Sequence, residues 1–376
     1  TAFAYTAPSG FKALNTANMS EATISDGSDY FDTLLWTGDG ASSTRVITGL
    51  SMENAPDWIW AKERNGGSSH ALFDAVRGFG SNNVLKTNSS DAEAGSNGGY
   101  INSTSATSIT WAQGTSSAEF YDLNNKTYVA WCWDAGSSTV TNTDGTISSQ
   151  VRASQTSGVS IVKYTGNGSS SATVGHGLNA QLKMLIHKRL DDVGSWKIKH
   201  TSLSTNHQLL FDTAASVDVT GNHGGGMADL SSSSTFGFAQ GLTNVDNVNG
   251  NGPSYINICF SEIPGFSAFG SYTGNGSSDG VYVHTGFRPA LVLQKRSDSA
   301  GHEWSIHDST REPSNDVGLY LEPSTSNAEQ DGNRRDFLSN GFKLRTSSPG
   351  VNASGGTYIW AAFAENPFQS NGGLAF

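Results

Sequence analysis

Trp36-Thr37-Gly38-Asp39-Gly40 returns as Tyr164-Thr165-Gly166-Asn167-Gly168 and again as Tyr272-Thr273-Gly274-Asn275-Gly276. Each copy ends an apolar run on an aromatic residue and then turns. Glycine accepts φ > 0 there, and the Asp or Asn caps the turn backbone. A second turn follows each copy: Thr48-Gly49-Leu50, His176-Gly177-Leu178 and Thr285-Gly286-Phe287. An apolar run closing on lysine comes next, Asp57–Lys62, Leu182–Lys188 and Ala290–Lys295. A third motif succeeds it: His70–Asp74, Trp196–His200 and Trp304–Asp308. Each copy closes on an Asn-rich turn and a strand opened by tyrosine, Tyr128–Trp133, Tyr255–Phe260 and Tyr358–Phe363. Motifs that recur in one order at nearly constant offsets are the mark of internal repetition.

The closing strand reads by alternation. Tyr128, Ala130 and Cys132 face one way, and Val129, Trp131 and Trp133 the other. Both faces are apolar, so this strand is expected in the middle of a packed sandwich. With 44 Gly and abundant Ser, Thr and Asn, and no sustained helical apolar stripe, the 376 residues predict an all-β fold of three tandem, divergent β-sandwich units of jelly-roll or lectin-like type. The expected spans are 30–134, 159–265 and 266–376, with 135–158 a linker carrying a small hairpin and 1–29 a tail or the remnant of an upstream domain. Units two and three are expected to pack tightly, with unit one free to be offset. The chain opens on Thr1 rather than Met, which reads as a processed or partial product.

The balance of 22 Lys+Arg against 33 Asp+Glu gives a net charge of −11 and argues against nucleic acid as a partner. No apolar run approaches the length of a membrane span. Cys132 and Cys259 occupy the same slot of two closing strands, so they are expected in separate cores as buried free thiols.

The candidate chemistry lies in His70, Asp74 and Arg77, echoed by His307, Asp308 and Arg311. An Asp–His pair orients a general base and an Arg holds an anion. Without a nucleophile motif beside them, Asp74–Arg77 and Asp308–Arg311 read instead as structural ion pairs, with the histidines as partly exposed neighbours. Glu93, Glu119, Glu262, Glu329 and Glu365 show no spacing that selects a hydrolytic pair. Asn244–Gly250 lacks the acidic pattern of a calcium loop, and the nine His have no zinc spacing. No catalytic, cofactor-binding or metal-binding residue is assigned, and no cofactor is expected. Most tryptophans sit in strand alternation. Trp111, in a polar stretch, is the candidate for exposure and for contact with a glycan.

Pro56–Lys62, Phe73–Gly78, Tyr128–Trp133, Tyr272–Gly276, Asn340–Leu344 and Ala361–Phe368 together resemble the repeated patterns of structural virion proteins of tailed phages, notably those of marine cyanobacteria. Phe3–Leu14 resembles the end of a SPRY-like, lectin-type sandwich that precedes such repeats. The resemblance implies a non-enzymatic structural protein at the virion surface, part of a fibre, spike or capsid appendage. It would assemble with other virion proteins, as a homo-oligomer, and contact the host surface. A glycan-binding adhesin is the second expectation and a secreted carbohydrate-active enzyme the third. The second unit departs most from the pattern, having neither the Trp-x-Trp strand nor the Arg-Gly after the third motif.

Overall fold

The computed structural model describes residues 24–366 apart from 42–43, 96, 116, 206, 216–217, 220–225, 228–229 and 239–245. The expected tail or upstream remnant therefore lies mostly outside the described residues. The protein is nearly all β, its described α-helices being single turns at Asp246–Asn249 and Pro349–Asn352.

The first repeat comprises β1 (Phe31–Thr37), β2 (Arg45–Thr48), β3 (Trp58–Glu63), β4 (Ala71–Asp74), β5 (Tyr100–Ser105), β6 (Ser108–Ala112) and β7 (Thr127–Trp133). The second runs through β8 (Thr139–Asn142), β9 (Ser149–Ser154), β10 (Val159–Thr165), β11 (Thr173–Gly175), β12 (Leu182–Arg189), β13 (Lys197–His200), β14 (His207–Leu210), β15 (Asp218–Val219), β16 (Thr235–Gly237) and β17 (Ser254–Ser261). The third holds β18 (Ser267–Thr273), β19 (Tyr282–His284), β20 (Arg288–Arg296), β21 (Ser305–Asp308), β22 (Val317–Tyr320), β23 (Gln330–Leu338), β24 (Gly341–Leu344) and β25 (Thr357–Asn366).

One antiparallel order recurs: β1-β7-β3-β4, β10-β17-β12-β13 and β18-β25-β20-β21. The register recurs with it, Trp36 opposite Tyr128, Tyr164 opposite Tyr255, and Tyr272 opposite Tyr358. The turn that follows explains the repeated glycines. Gly40, Gly168 and Gly276 have φ of 74°, 77° and 68°, where any other residue is strained. A Cβ on Gly38, Gly166 or Gly274 would lie 2.2, 2.1 or 2.3 Å from the carbonyl oxygen of Leu123, Gly250 or Ala353. The tyrosine hydroxyls of Tyr128, Tyr255 and Tyr358 then accept the backbone N–H of Leu123, Gly250 and Ala353. The whole turn is thus locked onto the closing strand.

Smaller sheets cover one face of these: β2-β6-β5, β11-β16 and β19-β24-β23-β22. Cys132 packs beneath the first with Ile59, Ile101 and Trp111, and Cys259 beneath the second with Val162, Leu185 and Phe236. Both thiols are free and buried in these separate cores. Burial pushes the Cys259 thiol well above its usual range.

The opposite faces all meet. Trp58, Trp60, Trp131 and Trp133 from the first repeat, Met184, Ile186 and Phe260 from the second, and Leu291, Leu293 and Phe363 from the third form one shared core. Unit one is therefore not offset from the other two, and the repeats do not follow one another as beads on a rod. Each closing strand is apolar on both faces because one face fills its own sandwich and the other fills this common centre. At that centre a cavity of about 20 Å³ is lined wholly by apolar side chains. Burying a side chain of this class stabilises the fold by roughly 1.5–3 kcal/mol relative to exposure. The β8–β9 hairpin in the stretch read as a linker pairs with β10 and extends its sheet to eight strands.

Candidate functional site

The singled-out polar residues lie on the seams between the three repeats, at the end of the fourth strand of each sheet. The register aligns Asp74, His200 and Asp308 as the last residues of β4, β13 and β21. It equally aligns His70, Trp196 and Trp304 as the residues just before those strands. His70 and His307 are therefore not equivalent, because His307 stands inside β21 opposite Val292. Neither histidine is partly exposed, since both are fully buried.

His70, Trp196 and Trp304 perform one task in rotation. His70 Nε2 donates to the carbonyl of Glu322 at 3.0 Å, from the first repeat to the third. Its Nδ1 accepts the indole N–H of Trp60 at 2.9 Å, which fixes the tautomer. Trp196 Nε1 donates to Lys86 O at 2.8 Å, from the second repeat to the first. Trp304 Nε1 donates to Leu210 O at 2.9 Å, from the third to the second. The three contacts close a ring.

The carboxylates and guanidinium groups strengthen two of these seams. Arg311 Nε meets Asp308 Oδ2 at 2.5 Å and its Nη1 meets Glu329 Oε1 at 2.8 Å. Burial alone would pull the Arg311 pKa down, but Asp308 and Glu329 outweigh it and raise it. Glu329 also accepts from Arg64 Nε at 3.1 Å and Nη2 at 2.8 Å, so it bridges the third repeat to the first. Trp131 Nε1 donates to Asp308 Oδ2 at 2.9 Å, beneath the Arg311 guanidinium. On the first repeat, Arg77 pairs with Asp74 through Nε and with Glu93 Oε1 at 2.6 Å, while the Glu93 N–H reaches Leu190 O of the second repeat at 2.7 Å. Arg152 of β9 adds an ion pair to Asp57 at 2.7 Å, although burial still pushes the Asp57 carboxyl up to about 6.

The third seam carries neither clamp. His200 takes the place of the aspartate, and Leu203 stands where the arginine would be. His200 Nε2 donates to Trp360 O at 3.2 Å, its Nδ1 accepts from Ser202 N, and burial pulls its pKa down to about 4. The lysines that close β3, β12 and β20 are alike. Lys62, Lys188 and Lys295 are buried, end on main-chain carbonyls, and are pulled by burial to about 8.

Trp111 is not exposed. It is completely buried on β6, stacked on Tyr121 at 5.4 Å and edge-on to Phe73 at 5.5 Å. It therefore offers no face to a sugar. An aromatic ring that sequence reasoning passed over, Tyr282 on the edge strand β19, is 44% exposed and held by hydroxyl contacts to Asn340 O and His284 Nδ1. Glu365 pairs with Arg288, whereas its counterpart Glu262 caps Phe269 N at 3.4 Å. Glu119 lines a hollow of about 80 Å³ of mixed lining, with Lys86 and Asp91 beside Val84 and Phe120. Among the described residues no group of three or more His, Cys, Asp and Glu could hold a metal ion, and no helix is long and apolar enough to cross a membrane. Most of Gly221–Gly226 and part of Asn244–Gly250 lie outside the described residues.

No curated protein and no solved structure matches this chain. A family model described as a domain of unknown function (DUF7483) matches residues 26–367, a stretch that takes in all three repeats and every seam between them. The chain belongs to that family.

Proposed function

We propose that the chain is a non-enzymatic structural module of a phage virion surface, a rigid platform within a fibre, spike or capsid appendage. The observation that carries this reading is the ring of seams around one shared core. The buried charges of those seams are committed to neighbouring repeats and to main-chain carbonyls, the use expected of a load-resisting part. The motif resemblance to tailed-phage structural proteins points the same way, and other virion proteins are then its partners. An antibody against the folded chain, applied to intact particles of a marine cyanobacterial phage that encodes it, tests the reading by negative-stain imaging. Labels on a particle feature support it, and unlabelled particles together with chain found only in the soluble lysate overturn it.

The fixed, exposed ring of Tyr282 favours a second reading, glycan binding at the host surface. Its hydroxyl is already tethered, so stacking a sugar costs little side-chain entropy. A glycan array should give signals that Tyr282→Ala abolishes, and an array blank for the wild-type protein removes this reading.

A further inference from the structure

Arg335 is the exception among the buried cations of this fold. Lys62, Lys188, Lys199 and Lys295 end on main-chain carbonyls, and Arg77 and Arg311 end on carboxylates. Arg335 is completely buried on β23, inside the third sandwich. It has Gln294 Oε1 at 2.8 Å and Asn333 O at 3.4 Å, and its Nε has no acceptor. Among the described residues it makes no ion pair.

The same interior leaves further donors unused. Trp360 stands opposite Gln294 across β20 and β25, and its indole N–H has no partner. The Phe342 ring connects the two, 5.7 Å from the Arg335 guanidinium and 5.9 Å from the Trp360 ring. His307, on β21, stacks on Tyr320 at 5.5 Å at the side of this interior. Gly270 permits this placement of Trp360, for a Cβ there would lie 2.7 Å from the indole. The corresponding interior of the first repeat has Ala61, Phe73 and Ile101 and no guanidinium, although the Trp111 indole N–H there also lacks a partner. A buried guanidinium with unspent donors and no counter-charge is costly, and orphan donors of this kind mark a missing ion or water.

We propose that the third sandwich holds a small monovalent anion, chloride or one of its size, against Arg335 Nε. This site goes beyond the platform reading and does not depend on it.

The test is thermal and chemical unfolding of the whole chain at constant ionic strength, with sodium chloride or bromide exchanged for gluconate. Above the dissociation constant, each tenfold rise in chloride should raise the apparent folding equilibrium constant tenfold, with bromide similar. Arg335→Met should abolish the dependence. A flat response of the wild-type protein, or a chloride response that survives in Arg335→Met, overturns the site, the second outcome marking a surface ion. Should Arg335→Met fail to fold, bromide in wild-type crystals decides. An anomalous peak beside Arg335 Nε supports the proposal, and its absence overturns it.

Discussion

The seam between the third and first repeats and the seam between the second and third occupy corresponding places and are built from opposite materials. On one, Asp308, Arg311, Glu329 and Arg64 form a continuous charged chain capped by the Trp131 indole. On the other, His200 makes one bond to Trp360 O and Trp304 one to Leu210 O. A strand end of fixed geometry therefore does not dictate the chemistry of its neighbour contact. It dictates only that the buried polar group finds an acceptor or donor across the gap. The charged seam is held by groups that are ruinous to break singly, while the neutral seam is held by an imidazole that answers to proton concentration and an indole that does not.

The largest expected effect follows from that asymmetry. Arg311→Ala leaves the buried Asp308 without a counter-charge, and Arg77→Ala does the same to Asp74. Each should cost about 3–5 kcal/mol in urea unfolding, because a buried charge is left without its partner. Losses below about 1 kcal/mol would show that the clamps contribute little to the seams. If the Trp131 and Arg64 contacts add to the third-to-first seam, the Arg311 loss is the greater of the two.

Acidification should act on the neutral seam. The His200 pKa in the folded protein is about 4, below its ordinary 6.5, so the folded state binds the proton less readily. The stability tied to His200 is complete above pH 6.5 and is lost as pH falls from there toward 4. Asp57 runs the other way. Its pKa is raised to about 6 from 3.8, so its contribution is full below the lower value and is lost as pH rises through about 6. His70, His176, His187 and His307 share the direction of His200, all lowered first by burial, so acid should destabilise the protein overall. His200→Gln keeps an N–H donor without the titration. It should remove about 1–2 kcal/mol of the stability lost between pH 6.5 and 5. A variant with the wild-type pH slope would show that His200 does not titrate in this window.

Smaller again is the indole tie. Trp304→Phe deletes the bond to Leu210 O while keeping most of the ring, and should cost about 1–2 kcal/mol. Trp196→Phe, which also loses a contact to Ser89 O at 3.2 Å, should cost at least as much. The smallest effect is none: a reductant should leave the melting midpoint unchanged, because Cys132 and Cys259 are unbridged. Ellman titration should find two thiols only after denaturation, and a reductant-sensitive midpoint would point to covalent help for the seams.

The alternation of Tyr128–Trp133 and the TG(D/N)G turns were readable in the sequence because both are local: a period of two and a φ requirement. The separation of the cysteines followed from the same repeat. The shared core was not readable. A strand apolar on both faces says that two partners exist, and nothing in Trp131 or Trp133 names the second as another repeat. Trp111 misled because Thr110 precedes it and Gln113 and Gly114 follow two and three residues on, yet β6 turns Trp111 inward, and the stacking partner Tyr121 lies beyond a turn. The two histidines looked equivalent because each stands near an Asp and an Arg. Strand register, which sequence spacing conveys only loosely, aligned His70 with Trp304 instead. Of the candidate site, the Asp74–Arg77 and Asp308–Arg311 pairs were legible as i, i+3 neighbours. Their continuation into Glu93 and Glu329 was not, since a carboxylate more than a dozen residues away carries no spacing signal.

The seam that closes the ring also joins the most distant parts of the chain. Arg64 meets Glu329 across 265 residues, whereas Lys188 meets Ser90 across 98. A polypeptide emerging from its N-terminus can dock its second repeat on its first long before the third exists. During that interval the indoles of Trp60 and Trp131 have no cover from β20, β21 and β25. The nascent chain therefore passes through a state with a broad sticky face, and the time spent there grows with the delay in synthesising residues 267–366. Translation speed over the last repeat thus becomes a determinant of yield, and a pause placed there would trap the protein in aggregates even though the finished ring is stable.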